Sequence, residues 1–192
     1  MTAAISVDDV ILVDTNDRPI GRAEKLDAHQ RGLLHRAFSL MIQDEDGRFL
    51  LQRRALSKYH SGGLWTNTCC SHPRHGESLT AASQRRVREE LGMTCEPRQV
   101  GHFLYRASLE HGLVEHELDH VLVATWNGES PRPDPGEVMD WRWISGDRLR
   151  YELRRRPEWF TVWLAPVLQC VMHSSSVTAP QAGWRALAAA SM

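Results

Sequence analysis

Residues 77–92 read ESLTAASQRRVREELG. Leu79, Ser83, Val87 and Leu91 recur at four-residue spacing, which predicts a helix with one narrow buried edge. Ser78 is placed to cap its N-terminus, and Glu77 just before it sits where the helix dipole favours negative charge. Gly92 stands where a left-handed residue ends a helix. The exposed face carries Arg85, Arg86 and Arg88 against Glu89 and Glu90. Taken alone, such a face is most often a solvated surface laced with Arg/Glu pairs, so its meaning depends on its surroundings.

Upstream, RAFSLMIQDEDGRFLLQRRA (36–55) predicts a hairpin, with apolar runs 38–43 and 49–53 flanking the acidic turn Asp44-Glu45-Asp46-Gly47. Downstream, GHFLYRASL (101–109) and LVEHELDHVLVATW (113–126) predict a second strand pair. In the latter strand Glu115, Glu117 and Asp119 fall at period two, on one face. EVMDWRWIS (137–145) predicts a further strand, and a helical region begins near Asp147. Pro157 suits the first turn of another helix running to Met172, which Pro166 should kink or break. The order of strands, helix, strands and helices predicts an α/β (α+β) fold, a mixed sheet sandwiched by helices. Residues 1–172 form one domain in this reading, with an N-terminal extension and C-terminal helices. The Ser/Ala-rich tail 173–192 is loosely held apart from a short helix after Gly183.

The 192 residues carry a net charge of −1, so no global field draws the chain to nucleic acid or to an anionic membrane. Asp8 and Asp9 interrupt the N-terminus where a secretory signal needs a basic region and an unbroken apolar core. No run approaches the roughly 20 apolar residues of a membrane span. Cys69, Cys70, Cys95 and Cys170 lack the spacing of a disulfide framework, so they read as reduced thiols and the chain as cytoplasmic. No obligate protein partner is evident.

The stretch GLWTNTCCSHPRHGES (63–78) packs two cysteines, two histidines, a tryptophan and a glutamate together. By composition alone it is equally a metal site, a redox pair or the mouth of an active site.

The segment from Ser71 to Gly92 resembles the Nudix box, G-x5-E-x7-R-E-U-x-E-E-x-G-U, with Glu77 on its first glutamate and Arg85 on its arginine. Two positions depart: Ser71 replaces the first glycine, and Arg86 replaces the glutamate after the arginine. The second departure removes a carboxylate one turn before Glu90 and puts a cation there, which disfavours magnesium capture by the helix and favours an anionic phosphate. Around the box, HRAFS, RRALSK, GLWTN, CSHP, YRA, GLVEHE and EVMDWRW occur in the order and spacing of the type I isopentenyl-diphosphate isomerases, from about Val10 to Leu168.

That resemblance implies a Nudix-type fold and the interconversion of isopentenyl and dimethylallyl diphosphate. It implies Cys70 and Glu117 as the catalytic pair, with Tyr105 hydrogen-bonded to the glutamate. Which of the pair protonates is open at this stage. It implies a divalent ion, Mn²⁺, Mg²⁺ or Zn²⁺, on His29, His35, His72, Glu115 and Glu117, a donor set such ions accept. It implies Lys25, Arg54, Lys58 and Arg86 against the diphosphate, and a Mg²⁺ that the diphosphate carries, held by Glu90 and the Cys70 backbone carbonyl. Trp163 would lie against the isoprenoid, where its ring face stabilises a carbocation. Cys69 is then a small buried residue, His75 an exposed imidazole, and His60, His102, His111, His116, His120 and His173 ordinary surface or core histidines. The rivals are a Nudix diphosphohydrolase and a non-catalytic diphosphate-binding relative of the isomerases.

Overall fold

A computed structural model describes residues 9–174. The tail from residue 175 onward, with the helix expected after Gly183, lies outside the described residues. In chain order the elements are β1 (Asp9–Val13), β2 (Pro19–Glu24), α1 (Lys25–Arg31), β3 (His35–Gln43), β4 (Arg48–Arg54), β5 (Trp65–Thr66), β6 (Cys69–Ser71), α2 (Leu79–Leu91), β7 (Arg98–Ser108), β8 (Val114–Thr125), β9 (Val138–Ser145), α3 (Gly146–Arg155) and α4 (Leu164–His173).

The sheet is mixed and organised around β3. This strand pairs parallel to β8, in register from His35↔Glu117 to Gln43↔Thr125. It pairs antiparallel to the short β6, with Ser39 opposite Cys70, and touches β1 at Leu12↔His35. The predicted β7–β8 pair forms, from Arg98↔Val123 to Ser108↔Val114. The predicted β3–β4 hairpin forms only at its turn. Gly47 donates to the Asp44 carbonyl, yet the two strands register at Gln43↔Phe49 and then part. β4 goes to β9, paired from Arg48↔Ser145 to Arg54↔Val138. Both runs are apolar on both faces, so each fills its sides with other strands and elements rather than with its neighbour in sequence.

Two cores cover the two faces. On one, Phe38, Leu40 and Ile42 of β3 pack with Ala82, Val87 and Leu91 of α2. On the other, Met41, Val121 and Val123 pack with Leu149 of α3 and Leu164, Val167 and Val171 of α4. The alternation of side chains along a strand therefore sends neighbouring residues to opposite layers. Cys69 is fully buried in the α2 core, as expected, whereas Cys70 packs on the α4 side.

Helix α2 forms as the sequence predicts. The Ser78 hydroxyl accepts from the Ala81 N–H, and Gly92 closes the helix in the left-handed region at φ 61°. Its buried edge is wider than the predicted stripe, because Ala82 and Glu90 join Ser83, Val87 and Leu91. Ser71 lies in β6 without a positive φ, so this position makes no conformational demand for glycine. The C-terminal region departs from expectation. Pro157 opens a single 3₁₀ turn (Pro157–Trp159), and the helix begins only at Leu164. Pro166 thus sits in the first turn of α4, where its missing N–H costs no hydrogen bond, and it does not kink the helix.

A Cβ on Gly92 would meet the Arg132 carbonyl oxygen at 3.0 Å in a backbone conformation that L side chains resist. Gly92→Ala should therefore lower stability by about 1–2 kcal/mol. The check is the urea midpoint, and an unshifted midpoint contradicts the tight cap.

Candidate active site

The pocket opens along β3, between β6 and β8, with α1, the β4–β5 loop and the start of α4 around it. It is lined by Ser39, Cys70, His72, Tyr105, Glu115, Glu117 and Trp163, and by the cations Lys25, Arg54, Lys58 and Arg86. The residues expected at the site, scattered from position 25 to 163, therefore meet in one place; Glu90 stands just behind it, joined to Arg86.

Its deepest part is a histidine–carboxylate group. His29, His35, His72 and Glu117 present ligand atoms that all lie within 4.8 Å of one another, and His29, His60 and Glu115 form a second such group. His29 Nδ1 donates to the Lys25 carbonyl at 2.6 Å and His35 Nδ1 to the Leu33 carbonyl at 2.8 Å. Both rings thus turn Nε2 inward, and a backbone hydrogen bond behind a ligand histidine is what fixes its ring and tautomer. His35 Nε2 and His72 Nε2 stand 3.2 Å apart, a spacing suited to two ligands sharing an ion at about 2.0–2.1 Å. Glu115 Oε2 is buried without a hydrogen-bond partner. Inward lone pairs, convergent spacing and an orphaned carboxylate oxygen together fit a divalent metal ion.

Glu117 is the most heavily engaged carboxylate. Its Oε1 lies 2.9 Å from His72 Nε2 and 3.5 Å from His35 Nε2, and its Oε2 accepts from the Tyr105 hydroxyl at 2.6 Å. Burial pushes its pKa up, but the two histidines outweigh burial and hold it well below the usual carboxylate range. Glu115 is pushed up to about 7 by burial and by the charge of Glu117. Burial lowers His72 to about 3, leaving it neutral at pH 7. Burial also raises Cys70 to about 12, against the partial relief of Arg54, whose Nη1 lies 3.9 Å from Sγ. Cys70 is therefore a protonated thiol.

The outer part of the pocket is cationic. Burial lowers the Lys25 pKa, and repulsion from Lys58, Arg86 and Arg54 adds to it. Arg54 is buried with Nε unpartnered, while its Nη2 donates to the His60 carbonyl at 3.3 Å. Lys58 pairs with Glu137. Arg86, which stands in place of the box glutamate, is bound to Glu90 at 2.5 Å, Glu89 at 2.7 Å and Glu137 at 3.3 Å. Glu90 is shared with Gln52 and does not join the histidine group. Glu77, the box's first glutamate, is committed to Arg85 through two hydrogen bonds of 2.8 and 2.9 Å.

Trp163 is buried, its Nε1 donating to Thr66 Oγ1 at 3.0 Å and to Asn67 Oδ1 at 3.2 Å, and the Arg54 guanidinium lies 5.6 Å from its ring. His75 is exposed, as expected. Sequence reasoning missed Tyr59 and Ser39, and it read His60 as an ordinary histidine, whereas His60 is buried in the site with Nε2 3.2 Å from Glu115. No periodicity marks a residue in the β4–β5 loop. Asp119 was visible as the third acid of the alternation but carried no role. It is buried, accepts from Ser39 Oγ at 2.8 Å, and burial with the charge of Glu117 holds its pKa well above normal.

Known proteins share this chain's sequence and fold. The NUDIX domain matches residues 33–164. The chain is 54% identical over 154 residues to an isopentenyl-diphosphate Delta-isomerase of Burkholderia multivorans, covering 80% of this chain and 87% of that one. It is 48% identical over 170 residues to isopentenyl-diphosphate Delta-isomerase 2 of Aromatoleum aromaticum, covering 88% and 89%. A crystal structure from Deinococcus radiodurans superposes with a TM-score of 0.69 at 17% identity, over 84% of this chain and 97% of that one, a likeness of fold alone. No helix among the described residues is long and apolar enough to cross a membrane. With a NUDIX domain over most of its length and relatives of about half-identical sequence, the chain belongs to the isopentenyl-diphosphate Delta-isomerase family.

Proposed function

We propose that this pocket moves the double bond of isopentenyl diphosphate to give dimethylallyl diphosphate, with Cys70 and Glu117 acting on the two faces of the hydrocarbon. The observation that carries the reading is the pairing in one pocket of a partly buried, protonated thiol with a carboxylate clamped by Tyr105 and two histidines. The reaction needs one proton delivered to the terminal methylene carbon and another removed from the carbon on the far side of the branch. The reaction is reversible, so each group is the acid in one direction and the base in the other. Tyr105, 2.6 Å from Glu117, holds the carboxylate in place and can pass a proton to or from it.

Protonation leaves a tertiary carbocation that water would trap. Trp163 supplies an aromatic face in a site whose groups are largely buried, and such a face stabilises a desolvated cation by roughly 0.5–2 kcal/mol. Lys25, Arg54, Lys58 and Arg86 would hold the diphosphate, with Arg54 offering the unpartnered donor. A Mg²⁺ carried in by the diphosphate would be taken by Glu90 and the Cys70 backbone carbonyl, once Glu90 gives up part of its pairing with Arg86. His29, His35, His72, Glu115 and Glu117 would hold the resident divalent ion, Mn²⁺, Mg²⁺ or Zn²⁺. When bound, it supplies charge that fixes Glu117 and lowers its affinity for a proton. Arg86, which stands where the box has a glutamate and pairs with Glu89, argues against a diphosphohydrolase, which needs the full carboxylate cluster for metal.

Formation of acid-labile allylic product measures turnover. Cys70→Ala and Glu117→Gln should each lower kcat by about 10²–10⁴-fold, with Tyr105→Phe falling less, and folding intact by melting temperature. Turnover of both variants within threefold of the parent overturns the assignment. The thiol has its own test. A Cys70 pKa near 12 makes thiolate scarce at pH 8, so alkylation of Cys70 by iodoacetamide should run roughly 10²–10³-fold slower than that of an ordinary thiol and quicken steadily up to pH 10. Peptide mass spectrometry reads this out, and rapid, pH-independent labelling of Cys70 contradicts it.

A further inference from the structure

We propose that His60 is a fourth histidine ligand of the metal centre, reaching it from the Glu115 side; this rests on the reading of the histidine–carboxylate group as a metal site. His60 lies on the loop between β4 and β5, and only 5% of its surface is exposed. Its Nε2 stands 3.2 Å from Glu115 Oε1, while His29 Nε2 stands 3.3 Å from Glu115 Oε2. The ligand atoms of all three residues fall within 4.8 Å of one another. The rings of His29 and His60 are 27° from parallel at 5.7 Å, so both present an edge nitrogen to the same carboxylate.

These contacts are close without being good hydrogen bonds, and Glu115 Oε2 has no hydrogen-bond partner at all. Two imidazoles and a carboxylate that converge without saturating one another form a donor set for a borderline divalent ion. His29 connects this group to the other. With Nδ1 committed to the Lys25 carbonyl, it has only Nε2 left, which the Tyr59 hydroxyl approaches at 3.4 Å, and one lone pair serves one ion. The two groups share only His29 and do not together fall within 4.8 Å, so a single ion held through His29 draws the His60–Glu115 pair in toward the His35–His72–Glu117 group.

The loop is built to aim the ring. Arg54 holds the His60 carbonyl, and Nδ1 faces Ser61 Oγ at 3.3 Å, leaving Nε2 toward the centre. Tyr59 packs edge-on at 4.4 Å between ring centroids, and Trp163 does so at 6.0 Å. Ser61 takes a left-handed φ of 51°, and at Gly62 any Cβ would fall 2.9 Å from the Leu56 carbonyl oxygen. Such strain in a loop is retained where a side chain must be held in place.

The test uses metal-stripped protein titrated with Co²⁺ alone, with no substrate present. Wild type should show hyperfine-shifted proton resonances from four coordinated imidazoles, and His60→Ala from three, with Co²⁺ affinity lowered tenfold or more. His75→Ala, at an exposed position, should match wild type. Equal melting temperatures of the metal-free proteins show that His60→Ala folds; if it does not, the count of imidazoles in wild type decides. Three imidazoles in wild type, or an unchanged affinity and spectrum in His60→Ala, overturn the proposal. His35→Ala separates the two claims. If it still binds Co²⁺ like wild type, the metal-centre reading itself fails. If it loses the ion while His60→Ala keeps every signal and its affinity, only the role of His60 falls.

Discussion

The site depends on one strand having two partners. β3 pairs in parallel with β8 and antiparallel with β6, so the strand bearing Glu117 and the strand bearing Cys70 are held on its two sides. Register does the positioning. His35 stands beside Glu117, and Ser39 opposite Cys70, and a one-residue slip in either ladder would turn the reactive side chain to the opposite layer. The cost of that slip is large because both faces of β3 are packed: Phe38, Leu40 and Ile42 against α2, and Met41 against the α4 side. Core packing and active-site geometry are thus the same constraint.

Electrostatics divides the pocket into two ends. At the inner end, carboxylates are stacked on β8 and met by imidazoles, with Glu115 raised and Glu117 lowered. At the outer end, burial and the crowding of Lys58, Arg86 and Arg54 depress Lys25. A substrate with an anionic head and an apolar, transiently cationic tail matches that division. The head meets Lys25, Arg54, Lys58 and Arg86, while the tail lies among Cys70, Trp163 and Glu117. Arg86 marks how the helix that carries metal-binding carboxylates in the Nudix box has been turned to another use, since it neutralises Glu89 and Glu90 from within α2.

Much of this was legible in the sequence where the signal is local. The caps and buried edge of α2, the β7–β8 pair and the shared face of Glu115 and Glu117 follow from spacing alone. The failures have physical reasons. Two apolar runs joined by a tight turn look like a hairpin, but runs apolar on both faces do not reveal which strands will flank them, and β3 and β4 part after one pair. Pro157 and Pro166 bracket a stretch that reads as one helix, yet the chain spends the first part on a 3₁₀ turn and begins α4 at Leu164. His29, His35 and His72 come from α1, β3 and the segment after β6, so only the family resemblance assembled them. His60 had neither periodicity nor motif to mark it, and only the folded loop brings it beside Glu115.

The central claim is that the chain shifts a double bond by exchanging protons on two faces and leaves the diphosphate whole. The most direct measurement is paired proton and phosphorus NMR of the metal-loaded protein with isopentenyl diphosphate and Mg²⁺ in D₂O. The account predicts loss of the vinylidene protons, growth of dimethylallyl methyl signals carrying deuterium, and unchanged diphosphate resonances. An intact alkene alongside newly formed monophosphate or inorganic phosphate would contradict it, and would make the pocket a diphosphate hydrolase.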